Sequence, residues 1–328
     1  MTKKANATNN GMSVFADLAL EFVSATELAA IAAAQWIGKG DKKAADKAAV
    51  DAMRARFNTI DFCGEVVIGE GAKDESFELF IGEHLGCAAH AQPSIDIAVD
   101  PLECTSSVAF GRPNALTVIA AGPRGTLYKA ADAYMEKIAV GPTAKNGVDL
   151  DAPPKENIAK VARALGKDIS EITVAVLERP RHEKLIADIR ATGARVRLFT
   201  DGDIAMGIAP SLPENSVDIL MGIGGSSEAV LAAAALRSLG GEILCRWKPA
   251  DDKQKARLAA AGITSYDEIF SSNGLARGHD ITFTASGVTG GPLLDGVVVS
   301  SNFIKTHSVV MSTHPKTIRY ITTRREPK

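Results

Sequence analysis

Acidic residues stand at the ends of apolar strands, and that placement is the first chemical signal in the chain. Glu70 lies in a Gly-Glu-Gly turn after Val66-Val67-Ile68, Asp100 and Glu103 straddle Pro101 after IDIAV, and Glu228 follows the glycine turn after VDILM. Asp46 sits in a segment of helical pattern four residues after Lys42, so the two share one helical face. Taken singly, each is an ordinary solvated loop acid, because strand ends reach water. If they converge, each close pair of carboxylates repels by ~4 kcal/mol at an effective dielectric of about 20. Such a site must protonate, splay apart or take up a cation. Hard divalent ions such as Mg²⁺ or Mn²⁺ take oxygen ligands. Carboxylates shared between two of them hold the ions about 3.5–4 Å apart, the geometry of phosphoryl hydrolases.

The string Asp-Pro-Leu-Glu-Cys-Thr (100–105) is the most specific of these features. Pro101 fixes the chain direction and is expected to stop the strand, so that Asp100 and Glu103 face one ion. Thr105 brings a hydroxyl into the same turn. The following SSVAF reads as the start of a helix, whose free N–H groups with Ser106 and Ser107 make a seat for phosphate. Cys104, between a cation and a helix N-terminus, is expected to favour the thiolate. The plainer alternative is a small residue with its sulfur turned away and inert.

The elements that position these residues follow from periodicity. Residues 13–37 read as a helix carrying Phe15, Leu18, Phe22 and Leu28, ended by Gly38 and Gly40. A second helix runs over 43–57, with Ala44, Ala48, Met53 and Phe57 available for a core face. Strands are expected at 64–71, 95–101 and 115–123, and a linker at 149–157. Regular alternation follows: strand 172–178, helix 181–193 with Gly193 just past its end, strand 194–199, a short helix in 201–213, strand 217–225 and helix 226–241. That alternation is the signature of a parallel sheet with crossover helices.

Composition agrees with an α/β class and excludes others. Apolar residues at 46% and charged residues at 23% support a packed core and rule out wholesale disorder. Aromatics at 5% against 29 glycines fit small-residue helices and tight turns better than an aromatic-rich all-β fold. A net charge of −2 leaves no basic surplus to condense on nucleic acid or an anionic membrane. No apolar run approaches the ~20 residues needed to span a bilayer. Cys63, Cys87, Cys104 and Cys245 form no CxxC pair and read as reduced thiols of a cytoplasmic protein. Residues 1–12 are polar, lack the apolar stretch of a signal peptide and read as a disordered tail.

Eight short strings then occur in one order: GKGDKKAAD (38–46), VVIGEG (66–71), DPLECT (100–105), NALTVIA (114–120), DAYMEKIAVGP (132–142), RPRH (179–182), DGD (201–203) and GIGGSSE (222–228). In them the chain resembles the lithium-sensitive phosphatase superfamily and, more narrowly, the bacterial class II fructose-1,6-bisphosphatases. The resemblance implies a layered α-β-α-β-α fold with the site between an N-terminal phosphatase half (13–155), carrying the metal motifs, and a C-terminal α/β half (156–328). It implies metal ligation of Mg²⁺ or Mn²⁺ by Asp46, Glu70, Asp100, Glu103 and Glu228. It gives Lys42 and Thr105 a part in catalysis. It assigns the sugar bisphosphate to Glu103, Cys104, Thr105 and Ser106, together with Tyr134, Arg179, Arg181, Asp201, Asp203 and Gly225. The implied reaction is hydrolysis of the 1-phosphate of fructose 1,6-bisphosphate. The partners expected are that small molecule and further copies of the same chain.

The chain departs from the family pattern at three places: Cys104 replaces a glycine, Ser226, Ser227 and Ala229 surround Glu228, and Ala72 with Ser76-Phe77 follow the Gly-Glu-Gly turn. Three other functions use the same residues differently. Sedoheptulose 1,7-bisphosphate is an alternative substrate, and a non-catalytic sugar-phosphate binder would keep the acidic cage. Gly222-Ile-Gly224 between a strand and a helix also fits a dinucleotide-binding turn, with Arg246 and Lys248 to meet the 2′-phosphate of an NADP-dependent oxidoreductase.

Overall fold

The computed structural model describes residues 14–71, 78–86 and 94–327. The stretch 1–12, Ala72, Ser76, Phe77 and Cys87 therefore lie outside the described residues. Helix α1 (Val14–Ala34) and helix α2 (Lys42–Phe57) come first. α1 ends three residues sooner than its pattern predicts, and Gly38 and Gly40 follow with φ of 74° and 77°. In α2 the buried alanines are Ala45 and Ala49, beside Met53 and Phe57, whereas the expected Ala44 and Ala48 are half-buried. Ala45, Ala49 and Met53 keep the i, i+4, i+8 spacing that Ala44 and Ala48 cannot share with Met53 and Phe57.

A first sheet takes strands from both ends of the chain. From the N-terminal side come β1 (Gly64–Ile68), β2 (His84–Leu85), β3 (Ile95–Glu103) and β4 (Leu116–Pro123). From the C-terminal side come β10 (Thr282–Gly287), β11 (Val298–Val299), β12 (Ile304–Thr313) and β13 (Lys316–Arg325). Their order is β11-β12-β10-β4-β3-β1-β2, with β13 also paired to β12. The second sheet is β7-β6-β8-β5-β9, built from β5 (Tyr134–Val140), β6 (Thr173–Leu177), β7 (Arg195–Phe199), β8 (Ile219–Gly225) and β9 (Glu242–Trp247). β6 pairs in parallel with β7 and β8, as the alternation predicts, but β5 runs antiparallel to β8 and β9.

The helices fill three layers. α1 and α2 cover the outer face of the first sheet, where Phe22, Phe57 and Phe62 pack edge to face and tilted at 5.3–5.8 Å. Between the sheets lie α6 (Asp203–Ile208) and α7 (Ser226–Leu239), whose alanine-rich surface lets both sheets approach. α4 (Pro154–Leu165) and α5 (Glu183–Ala191) cover the outer face of the second sheet. The order is α-β-α-β-α. Two further helices, α8 (Asp252–Ala260) and α9 (Ser272–Leu275), follow β9, and a short α3 (Thr105–Ala109) follows β3. The expected linker at 149–157 is half helix: α4 begins at Pro154, where proline's missing N–H costs nothing in a first helical turn. Among the described residues no helix is long and apolar enough to cross a membrane.

Candidate active site

The bend in β3 creates the acidic centre. Asp100 opposes Val118 on β4 and Glu103 opposes Leu116, so three steps on β3 match two on β4. In a regular strand residues three apart face opposite ways. The extra residue of this bulge turns Asp100 and Glu103 to one face, the one packed on the middle helices. Pro101 therefore does not stop the strand, as expected from sequence; it occupies the bulge, where a missing donor is tolerated. Asp100 Oδ1 accepts from the Leu102 N–H at 3.2 Å. Cys104 then turns the chain into α3 at φ 69°, in the left-handed region that glycine prefers. Half-buried, Cys104 packs against the cluster under α1 and α2. Burial and the neighbouring carboxylates push its thiol well above the ordinary value. Without a cation beside it, this environment favours the thiol over the thiolate.

The second sheet delivers the other side. β8 ends at Gly224-Gly225, and both glycines clear space for carboxylates. A Cβ at 224 would lie 1.8 Å from Asp203 Oδ2, and one at 225 would lie 2.0 Å from Glu228 Oε2. Asp203 opens α6 after Gly202 (φ 113°), and Glu228 lies in the first turn of α7. Glu103 spans the halves by accepting the Ile204 N–H at 2.9 Å. Asn114, itself at φ 79°, donates to the Asp201 carbonyl at 3.2 Å and ties the DGD turn to the start of β4. Arg179 pairs with Asp201 at 3.1 Å. Arg181 donates twice to the Ile223 carbonyl (3.1 and 2.7 Å), and its guanidinium lies 4.6 Å from the centre of the Tyr134 ring. His182 is a neutral clamp: Nδ1 donates to the Leu177 carbonyl at 2.6 Å, which leaves Nε2 to accept the Ile223 N–H at 2.8 Å.

These groups surround a cavity of about 180 Å³ lined by Glu103, Cys104, Tyr134, Arg179, Arg181, Asp201, Asp203, Gly225 and Glu228, with Leu177, Gly202 and Gly224. Asp46, Glu70 and Asp100 do not line it, but Asp100 feels the charge of Glu228, which does. Burial, then Asp46, pushes Glu70 up to about 7. Burial, then Glu70, Glu228 and Asp46, pushes Asp100 well above the carboxylate range. Burial, then Asp100, does the same to Glu103, and burial raises Asp46 and Glu228. Glu103 Oε2 and Glu228 Oε2 are buried without a hydrogen-bond partner. Among the described residues no three such side chains converge to ligating distance. The donor set nonetheless fits a hard cation, because all the donors are oxygen and two are buried and unsatisfied. Thr105 and Ser106 lie half-buried in the first turn of α3 and are not among the cavity's lining residues. Lys42 makes no ion pair with Asp46; its Nζ lies 5.3 Å from the centre of the Phe110 ring.

Sequence reasoning overlooks Lys137. It lies on β5 with Nζ 3.0 Å from Asp203 Oδ2, almost fully buried. Its signal was present, since it shares a strand face with Met135 and Ala139. Asn114 gives no such signal, because its role rests on its left-handed backbone.

The chain is thus an α/β protein whose cleft is lined by two arginines and four carboxylates. The sequence model of the bacterial, glpX-encoded fructose-1,6-bisphosphatases matches residues 16–325, and the chain belongs to that family. It is 41% identical over 318 residues to the class 2 fructose-1,6-bisphosphatase 1 of Escherichia coli K12, covering 93% of this chain and 94% of that one. The class 2 fructose-1,6-bisphosphatase of Shigella flexneri gives the same identity and coverage. An extragenic suppressor from Pyrococcus furiosus, 16% identical, overlays 62% of this chain and 71% of its own with a TM-score of 0.31, too low to carry an argument.

Proposed function

We propose that the protein hydrolyses the 1-phosphate of fructose 1,6-bisphosphate to fructose 6-phosphate and orthophosphate, with a divalent cation, Mg²⁺ or Mn²⁺, as cofactor. The observation that carries the reading is one cavity lined both by Arg179 and Arg181 and by Glu103 and Glu228, in a chain of the fructose-1,6-bisphosphatase family. In this reading Asp46, Glu70, Asp100, Glu103 and Glu228 hold the cation. When bound it polarises the phosphoryl oxygens and lowers the pKa of a water. The chain's own groups do the rest. Arg179 and Arg181 fork onto the phosphate that is kept, Tyr134 offers its ring and hydroxyl, and Asp201 and Asp203 accept sugar hydroxyls. Thr105 orients the phosphate that leaves, and Lys42 offsets excess acidic charge.

The same reading places the chain in the lithium-sensitive superfamily, as a homo-oligomer in the cytoplasm. Among the described residues Cys104 and Cys245 are free thiols, which fits a reducing compartment. A dinucleotide enzyme does not account for the family membership and the acidic centre together, and likeness to fructose-1,6-bisphosphatases favours hydrolysis over a non-catalytic binder. A phosphate-release panel over fructose 1,6-bisphosphate, sedoheptulose 1,7-bisphosphate and an inositol monophosphate, with Mg²⁺, Mn²⁺, Li⁺ or chelator, tests it. The first substrate should turn over fastest, Li⁺ should inhibit, and chelator should abolish release. Equal rates with and without chelator would refute the proposal.

A further inference from the structure

Lys137 is a cation in the wrong place for a surface residue. Its neighbours along β5 on the same face, Met135 and Ala139, belong to the main core, and it stands opposite Gly222 and Cys245 on the flanking strands. Removing a lysine from water costs several kcal/mol unless a partner and hydrogen bonds offset it. Here the partner is Asp203, whose Oδ2 accepts from Nζ at 3.0 Å. The pair has a direction. The lysine side chain is 3% exposed and the carboxylate 14%, so the cation lies beneath and the anion reaches the cavity. Gly224 makes the contact possible, because a Cβ there would lie 1.8 Å from Oδ2 and 3.0 Å from Nζ. Asp203 Oδ1 has no hydrogen-bond partner among the described residues.

We infer that Lys137 is a positioning residue for substrate recognition: by holding Oδ2 of Asp203 it fixes that carboxylate in one rotamer, so that its other oxygen accepts a sugar hydroxyl. The inference rests on the reading of Asp203 as a sugar-binding group. A charged acceptor makes a stronger hydrogen bond than a neutral one. A site built around such an acceptor discriminates strongly between ligands that carry the hydroxyl and ligands that do not. Lys137 therefore contributes to the choice of a sugar phosphate over a bare phosphate without touching either.

Equilibrium calorimetry tests this with fructose 6-phosphate and with inorganic phosphate, on the wild type, Lys137→Met, Asp203→Asn and the double variant. Lys137→Met should weaken fructose 6-phosphate by about tenfold or more and leave inorganic phosphate within about twofold. The double variant should bind fructose 6-phosphate as Asp203→Asn does, because groups that act as one unit are not additive. That comparison stands even if Lys137→Met alone does not fold, since the double variant leaves no unpaired buried charge. Native affinity in Lys137→Met, equal weakening of both ligands, or a double variant clearly weaker than Asp203→Asn overturns the inference. So does a wild type that binds the sugar phosphate no better than phosphate. A wild type that binds fructose 6-phosphate selectively but releases no phosphate from the bisphosphate would instead sink the proposed function and leave this inference standing.

Discussion

At Gly224 and Gly225 the chain omits side chains so that two carboxylates can lie against the end of β8. The contact at 225 is with the far end of Glu228, a flexible side chain, so an added methyl group displaces the carboxylate more than it strains the fold. Gly225→Ala should therefore keep its melting temperature within a few degrees yet lose roughly 100-fold in kcat, as misplacement by about 1 Å does. A melting curve and a steady-state assay on the same preparation check both halves. At this scale the acids themselves were legible, because a charged residue at the end of an apolar run stands out. Lys137 was not, because a charge inside an alternating strand reads as its solvent face until the neighbours on its own face are counted. Asn114 was not, because nothing in its side chain announces a φ of 79°.

Strand ends, rather than whole strands, separate the roles in the site. The β3 bulge presents Asp100 and Glu103, whereas the segment after β6 presents Arg179 and Arg181. Groups that act on the reacting phosphate should affect the transition state more than ground-state binding. Asp100→Asn and Glu70→Gln are expected to lower kcat by about 100-fold or more with modest change in KM, and Arg181→Ala to raise KM chiefly. Initial rates over a substrate range decide this, and a pure KM effect in all three would contradict the assignment. Periodicity located β3 and β8 well but misread Pro101 as a terminator. A bulge is a pairing event with β4, invisible in one strand. The strands after residue 248 escaped the sequence reading altogether. Their inward positions carry Thr284, Ser286 and Ser308, which look polar but are satisfied: Ser286 bonds both Ser308 and Thr26, and Thr284 donates to the Ala19 carbonyl.

Across the whole molecule the two sheets close a set of acids into the same low-dielectric region, and that sets a pH dependence. A carboxyl whose folded pKa is raised binds more protons folded than unfolded, so its contribution to stability falls as the pH rises through the interval between the two values. For Glu70 the interval runs from 4.5 to about 7, worth on the order of 3 kcal/mol, and Asp100 and Glu103 add to it in the same direction. Metal-free protein should thus lose thermal stability from about pH 5 to about pH 7.5, and Mn²⁺ should flatten that slope by neutralising the cage. Scanning calorimetry with and without chelator measures it; a metal-free slope of opposite sign would contradict the account. The layer order was legible only through the family resemblance, because the alternation after residue 172 describes one sheet and says nothing of the other's return from the C-terminal side.

The claim that the cleft removes one particular phosphate is tested most directly by following the products of fructose 1,6-bisphosphate by phosphorus NMR, with divalent cation, with chelator, and with Asp100→Asn. The account predicts orthophosphate and fructose 6-phosphate in equal amounts with the wild type and cation, and neither product with chelator or with the variant. Fructose 1-phosphate as the product, or undiminished turnover in chelator, would contradict it.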